Sequence, residues 1–181
     1  MKHQWELASP KQGATEQLMV ELKVSELMAQ CLVNRGFTDP ESAARFLEPR
    51  LNQLADPFLL PNMRPAIDRL FEARGNDEPI TIFGDYDVDG ITSTALLKTS
   101  LEELGWDIRH YLPHRMDDGY GLSRDAVEKC LNECPNTVFL AVDCGSTNTD
   151  TITWLQENGV DVLVLDHHQV AEPMPPALAI V

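Results

Sequence analysis

The sequence predicts an α/β fold built on a parallel sheet and preceded by a short helical lead-in. Three observations carry that expectation. Apolar, β-branched runs stand at Ile80 to Phe83, Val138 to Val142 and Val160 to Leu165, the composition of strands buried on both faces. Each run finishes in acids or imidazoles: Asp85, Asp87 and Asp89 after the first, Asp143 after the second, Asp166, His167 and His168 after the third. Helix-like segments separate the runs, and strands alternating with helices make a parallel sheet. Ligands of such sheets bind outside the carboxyl ends of the strands, so the clusters are expected to converge on one edge.

Taken in order, residues 1–23 are mixed polar, with Gly13 and no sustained periodicity. They are expected to be a loose tail or an edge strand around Trp5-Glu6-Leu7. A helical lead-in is expected over 24–79. Val24, Leu27, Met28, Cys31 and Leu32 fall on one helix face, and Gly36 suits the stop. Asp39-Pro40 reads as an N-cap followed by proline at the first helical position. Pro49, Pro57 and Pro61 break the next stretch, and Pro65 starts a helix that Gly75-Asn76-Asp77 ends. The α/β domain then runs over 80–181. After its first strand comes a glycine turn at Gly90 and a helix over Thr92 to Leu104, whose N-terminus suits an anion. A strand over Ile108 to Leu112 leads into a loop to Leu122, and Ser123 caps a helix to about Glu133. A helix over Thr149 to Asn158 stops at Gly159. The sequence closes on the apolar run Ala177 to Val181, from which the domain is expected to be incomplete at its C-terminus and the chain a piece of a longer polypeptide.

The formal charge is −15, from 29 Asp and Glu against 14 Lys and Arg. A broad, sequence-independent grip on nucleic acid needs a basic patch and is disfavoured. Divalent ions in the acidic clusters would reverse the field locally and admit a phosphate. No apolar run approaches the roughly 20 residues that span a membrane, and the first residues lack the apolar core of a signal peptide; a cytoplasmic location is the default expectation. Cys31, Cys130, Cys134 and Cys144 form no C-x-x-C pair and read as reduced thiols.

Asp85, Asp87 and Asp89 place three carboxylates at alternate positions, where they repel one another unless a cation sits among them. Carboxylates suit magnesium and manganese, and an added imidazole favours manganese. Zinc is disfavoured by the lack of thiolates. Two such ions can clamp the attacking and leaving oxygens of a phosphoryl displacement, and Asp143, reached from a second strand, suits a bridging role. Two rival patterns remain beside this one. An EF-hand loop would need a bidentate acid at its twelfth position, which is Leu96 here. An aspartyl-phosphate site would make Asp85 the nucleophile and Asp87 the acid/base, leaving Asp89 and the paired histidines unexplained. Arg115, beside a glycine-rich loop, is a phosphate-binding candidate, with a salt bridge to Asp117 or Asp118 as the alternative. His110 and His114 flank Pro113 and read as loop residues.

Asp85-Tyr-Asp-Val-Asp-Gly90, Asp143-Cys-Gly145 and Asp166-His-His168 resemble the first three motifs of the DHH phosphoesterase superfamily. The loop with Arg115 and Asp118-Gly-Tyr-Gly-Leu-Ser123, and the lead-in with Asn34-Arg-Gly-Phe-Thr-Asp-Pro40 and Asp56-Pro-Phe-Leu-Leu60, resemble its single-strand-specific DNA exonuclease branch. The resemblance covers Val24 to Val181. It implies a parallel-sheet DHH-type domain, a pair of manganese or magnesium ions, and 5′ to 3′ hydrolysis of single-stranded DNA in repair and recombination. By position it implies Asp85, Asp87, Asp89, Asp143 and His167 as metal residues, with Asp143, His167 and His168 catalytic. Arg115 and His168 are implied to face the substrate phosphate, and Asp166 to orient the histidines. Phe83 stands where some relatives carry a histidine, and the superfamily's fourth acidic motif and second domain would lie downstream of Val181, so the chain by itself is expected to be inactive. Relatives acting on short oligonucleotides, cyclic dinucleotides or pyrophosphate, and non-catalytic scaffolds, are the alternatives.

Overall fold

The computed structural model describes residues 6, 8, 9, 11–114, 119, 121–135 and 137–181. Backbone contacts divide the chain into two compact units, Met1–Ala55 and Asp56–Val181.

The first unit holds α1 (Gln12–Leu22), α2 (Glu26–Asn34) and α3 (Pro40–Leu47). Leu18 of α1, Ala29, Leu32 and Val33 of α2 and Ala43 of α3 form its small core. Residues 12–22 are therefore helix, not tail or edge strand; Trp5 and Leu7 lie outside the described residues. Ala14, Leu18 and Leu22 repeat at four-residue spacing, a helical signal obscured by the lack of a side-chain cap at Lys11. The inward face of α2 also differs from expectation. Leu27 and Met28 are exposed, because α1 and α3 pack on the side that carries Ala29 and Val33. Asp39 caps α3 as expected, its Oδ1 accepting from the Ser42 amide at 2.9 Å.

The second unit contains α4 (Met63–Gly75), β1 (Ile80–Gly84), α5 (Val88–Glu103), β2 (Ile108–Tyr111), α6 (Arg124–Glu133), β3 (Val138–Val142), α7 (Thr149–Glu157), β4 (Asp161–Leu165) and β5 (Ala179–Ile180). The five strands form one sheet in the order β2-β1-β3-β4-β5, with every neighbouring pair parallel. The expected lead-in over 24–79 is thus split. Its last helix, α4, belongs with the sheet, which it meets at Ala66, Leu70 and Ala73.

Strand side chains alternate between two cores. Phe83, Phe139, Ala141, Val162 and Val164 pack with Ala126 and Val127 of α6 and Ile152 and Leu155 of α7. Ile80, Ile82, Val138, Leu140 and Leu163 pack on the opposite face, with α4 and Leu97 and Leu101 of α5. A sheet covered on both faces needs strands apolar at every position, which is why these runs show no polar alternation. Arg69 of α4 fastens the opposite edge of the sheet. Its Nε donates to Asp161 and its Nη2 to Glu78, both at 2.6 Å.

Candidate metal centre

The strand order reverses direction at β1, because β2 lies on one side of it and β3 on the other. That switch point opens a crevice at the carboxyl ends of β1 and β3. The three clusters meet there.

Asp85 follows β1 directly and is 1% exposed. Its Oδ1 accepts from the Tyr86 amide at 2.6 Å. Burial raises its pKa against that bond, and the nearby Asp87 and Asp166 carboxylates add to the rise. Asp87 is the N-cap of α5, its Oδ1 accepting from the amides of Asp89 at 2.9 Å and Gly90 at 3.1 Å. These bonds lower its pKa, the Gly90 bond most. The expected glycine turn is thus the first turn of α5, and the helix N-terminus expected to face an anion is capped by Asp87 instead. Gly90 is fixed by a close approach: a Cβ there would meet the Asp85 backbone nitrogen at 2.5 Å and carbonyl carbon at 2.6 Å.

Asp143 extends the ladder beyond β3, donating its amide to Leu165 O at 2.9 Å. Its φ of +60° lies in the left-handed region, which aspartate tolerates better than most residues and which recurs at functional sites. Gly145 completes the reversal at φ +112°, where a Cβ would press on Val164 at 3.1 Å. Both Asp143 carboxylate oxygens are buried without a hydrogen-bond partner among the described residues. Burial raises the Asp143 pKa, and the Asp87 carboxylate raises it further.

After β4, Asp166 accepts from the Ser146 amide through Oδ2 at 3.1 Å and from the His168 amide through Oδ1 at 3.2 Å. The same Oδ1 lies 2.7 Å from His168 Nδ1. Burial alone would raise the Asp166 pKa, but the bonds from His168 and Ser146 outweigh it and hold it low. The Asp166 bond raises the His168 pKa in turn. His167 reaches back to place Nε2 at 3.2 Å from Asp143 Oδ1, and the two imidazoles pack with centroids 4.4 Å apart.

One ligand atom from each of Asp143, His167 and His168 lies within 4.8 Å of the others. That grouping brings in His168, which the sequence marked for the phosphate, and leaves Asp85, Asp87 and Asp89 around its rim. Two clefts flank it. The first, of about 390 Å³, is lined by Asp85, Asp143, Asp166 and His168 together with Gly121, Asn148 and Gln169. The second, of about 360 Å³, is lined by Asp89, Thr92, Ser93, Asp143, Asp166 and His167. Asn148, Gln169, Thr92 and Ser93 were not marked from sequence. The first two sit three to five residues from motif acids, so proximity was their only signal; the last two follow the motif glycine on α5. Asn148 Nδ2 also donates to Leu122 O at 3.3 Å, tying the glycine-rich loop to the start of α7. Arg115 lies outside the described residues. Cys144 is buried, and its thiol is pushed up by burial and by Asp85 and Asp166, so it stays protonated and offers no thiolate.

The donor set fits a hard divalent cation. A buried carboxylate whose nearest partners are an imidazole at 3.2 Å and a second carboxylate, with a further imidazole and more acids beside it, is a site rich in acceptors and short of donors.

The chain is similar to known proteins. The single-stranded-DNA-specific exonuclease RecJ of Thermus thermophilus is 37% identical over 174 residues, covering 96% of this chain and 25% of its own length. RecJ of Bacillus subtilis is 35% identical over 180 residues, covering 99% and 23% respectively. The chain therefore spans about a quarter of the length of these relatives. A crystal structure of Thermus thermophilus RecJ in complex with Mn2+ superposes with a TM-score of 0.68 at 34% identity, over 96% of this chain and 24% of that one. A second, of exonuclease RecJ bound to manganese, gives a TM-score of 0.62 at 42% identity over 70% of this chain and 32% of that one. The model of the DHH family, N-terminal domain, matches residues 79–181; that match takes in every acid and imidazole of the centre, and the chain belongs to the DHH family.

Proposed function

We propose that this chain carries the metal-binding part of a 5′ to 3′ exonuclease that hydrolyses phosphodiester bonds of single-stranded DNA, using two manganese or magnesium ions, and that the chain by itself is inactive. The observation that carries the proposal is Asp143: a buried carboxylate with unbonded oxygens, converging with His167 and His168. The RecJ relatives support it, being named single-stranded-DNA-specific exonucleases with manganese-bound crystal structures. The proposal also assigns the activity to the cytoplasm and to DNA repair and recombination.

Asp85, Asp87, Asp89, Asp143 and His167 would hold the ions, and His168 would join them or face the phosphate. When bound, such ions neutralise the scissile phosphate and activate the attacking water. The chain's own residues do the rest. Asp166 holds His168 by Nδ1, which leaves Nε2 to ligate a metal from the neutral imidazole or to donate to a phosphate oxygen from the imidazolium. Burial raises the pKa of Asp143 and Asp85, and a bound cation would favour their charged forms. No Lys or Arg lines either cleft among the described residues, so a DNA phosphate enters only after metal. Arg115 is proposed as a further phosphate contact.

The test is hydrolysis of 5′-labelled single-stranded DNA, a dinucleotide and pyrophosphate, each with manganese and with chelator, by a polypeptide of the relatives' full length that contains this chain and by its Asp143→Ala variant, with this chain alone as the inactive control. Manganese-dependent loss of 5′ nucleotides from the long strand, absent in the variant, is the expected result. Preference for pyrophosphate, or unchanged turnover in the variant, would overturn it.

A further inference from the structure

We propose that an apolar hollow beside the acidic clefts seats the nucleobase of the nucleotide whose phosphate lies at the metal centre. This rests on the phosphoesterase reading above and deepens it. The hollow, of about 240 Å³, is walled by Ser93, Leu96, Leu97, Val142 and Leu165. It shares Ser93 and Leu165 with the cleft that Asp89, Asp143, Asp166 and His167 line. The two are therefore neighbouring chambers with a common wall: one takes an anion once metal is bound, and the other carries no charged residue.

The occupant must match both chambers. It needs an anionic end and, a short linker away, a flat uncharged body with some polar edge. A nucleotide has that form, with the sugar as linker and the Ser93 hydroxyl at the seam as a partner for the base edge. The outward side of α5 supports the assignment. Val88, Thr92 and Leu96 recur every four residues on its exposed face, with Val88 73% and Leu96 67% exposed. The comparable surface of α6 carries Arg124, Asp125 and Glu128, as a solvated helix face does. Exposed apolar side chains continuous with a polar site mark a ligand surface.

Isothermal titration of the protein in magnesium chloride, with thymidine 5′-monophosphate and with 2-deoxyribose 5-phosphate, tests the subsite. The two ligands share phosphate and sugar and differ only in the base. The nucleotide is expected to bind about tenfold more tightly. Leu96→Asp should erase that advantage, read as the ratio of the two affinities because the added carboxylate repels both phosphates alike; the exposure of Leu96 lets the variant fold, which circular dichroism checks. Leu96→Met should retain the advantage. Equal affinities for the two ligands in the wild type, or an unchanged ratio in Leu96→Asp, would overturn the base subsite alone. Failure of both ligands to bind would overturn the phosphoesterase reading and the subsite together. Dimerisation of the wild type that Leu96→Asp abolishes would assign the hollow to a second copy and also overturn it.

Discussion

His168 Nδ1 lies 2.7 Å from Asp166 Oδ1, and the same carboxylate is held in place by the Ser146 amide at 3.1 Å. This clamp fixes which nitrogen of His168 faces the clefts. A carboxylate that orients an imidazole in this way is worth about 10–100-fold in metal affinity or activity. Asp166→Asn should therefore weaken manganese binding by that factor while the fold, followed by circular dichroism, is unchanged. The His168 proton resonances should also titrate at lower pH in the variant, because the bond that raises its pKa is weakened.

The clamp also gives the metal-free protein a pH dependence. His168 has a raised folded pKa, so its contribution is full below its unfolded value of about 6.5 and is lost as pH rises through the folded value. Asp166 has a lowered folded pKa, so its contribution is present above about 3.9 and is lost as pH falls through the folded value. Asp85 and Asp143 have raised pKa values, and their ionisation destabilises the fold as pH climbs above the ordinary carboxylate range. The melting temperature in chelator should accordingly be highest on the acid side of neutrality and fall toward pH 8. Manganese relieves the same charges, so its stabilising shift should be larger at about pH 8 than at about pH 5.5. Thermal melts with and without metal at both values check this.

Replacing Asp143 with Asn removes the charge from a buried carboxylate whose oxygens lack hydrogen bonds among the described residues, and Asn still tolerates the left-handed backbone. Asp143→Asn should be more stable than the wild type in chelator, by about 1 kcal/mol or about 2–4 °C in melting temperature, and should lose manganese binding. A variant that is less stable in chelator would contradict the view that this carboxylate is kept at a cost to the fold.

Gly90→Ala should be among the most damaging small substitutions in the chain. Its methyl group would press into the backbone of Asp85, with no flexible side chain to give way. A loss of about 1–3 kcal/mol is expected from overpacking alone, measured by urea denaturation. Metal binding should suffer too, because relief of the clash moves Asp85 or the Asp87 cap.

Much of this was legible in the sequence because a sheet buried on both faces writes itself as unbroken apolar runs. Ile80 to Phe83, Val138 to Val142 and Val160 to Leu165 fell within a residue of β1, β3 and β4, and their end residues meet as expected. Helix caps with a side-chain acceptor were equally legible, at Asp39 and Ser123. What escaped has physical causes. The helix α1 lacks a capping side chain, and its apolar positions are diluted by polar neighbours. The inward face of α2 depends on where α1 and α3 lie, which periodicity cannot tell. Asp87 looked like one of three equivalent carboxylates, yet its oxygen is engaged by the first turn of α5. Asn148 and Gln169 reach the cleft only because β3 and β4 end side by side.

The most direct measurement is a calorimetric titration of manganese into the protein and into Asp143→Ala, at neutral pH and after exhaustive chelation. Saturable binding is expected in the wild type, and it should be abolished in the variant. Binding of equal affinity in both proteins would contradict the assignment of Asp143 as the centre of the metal site.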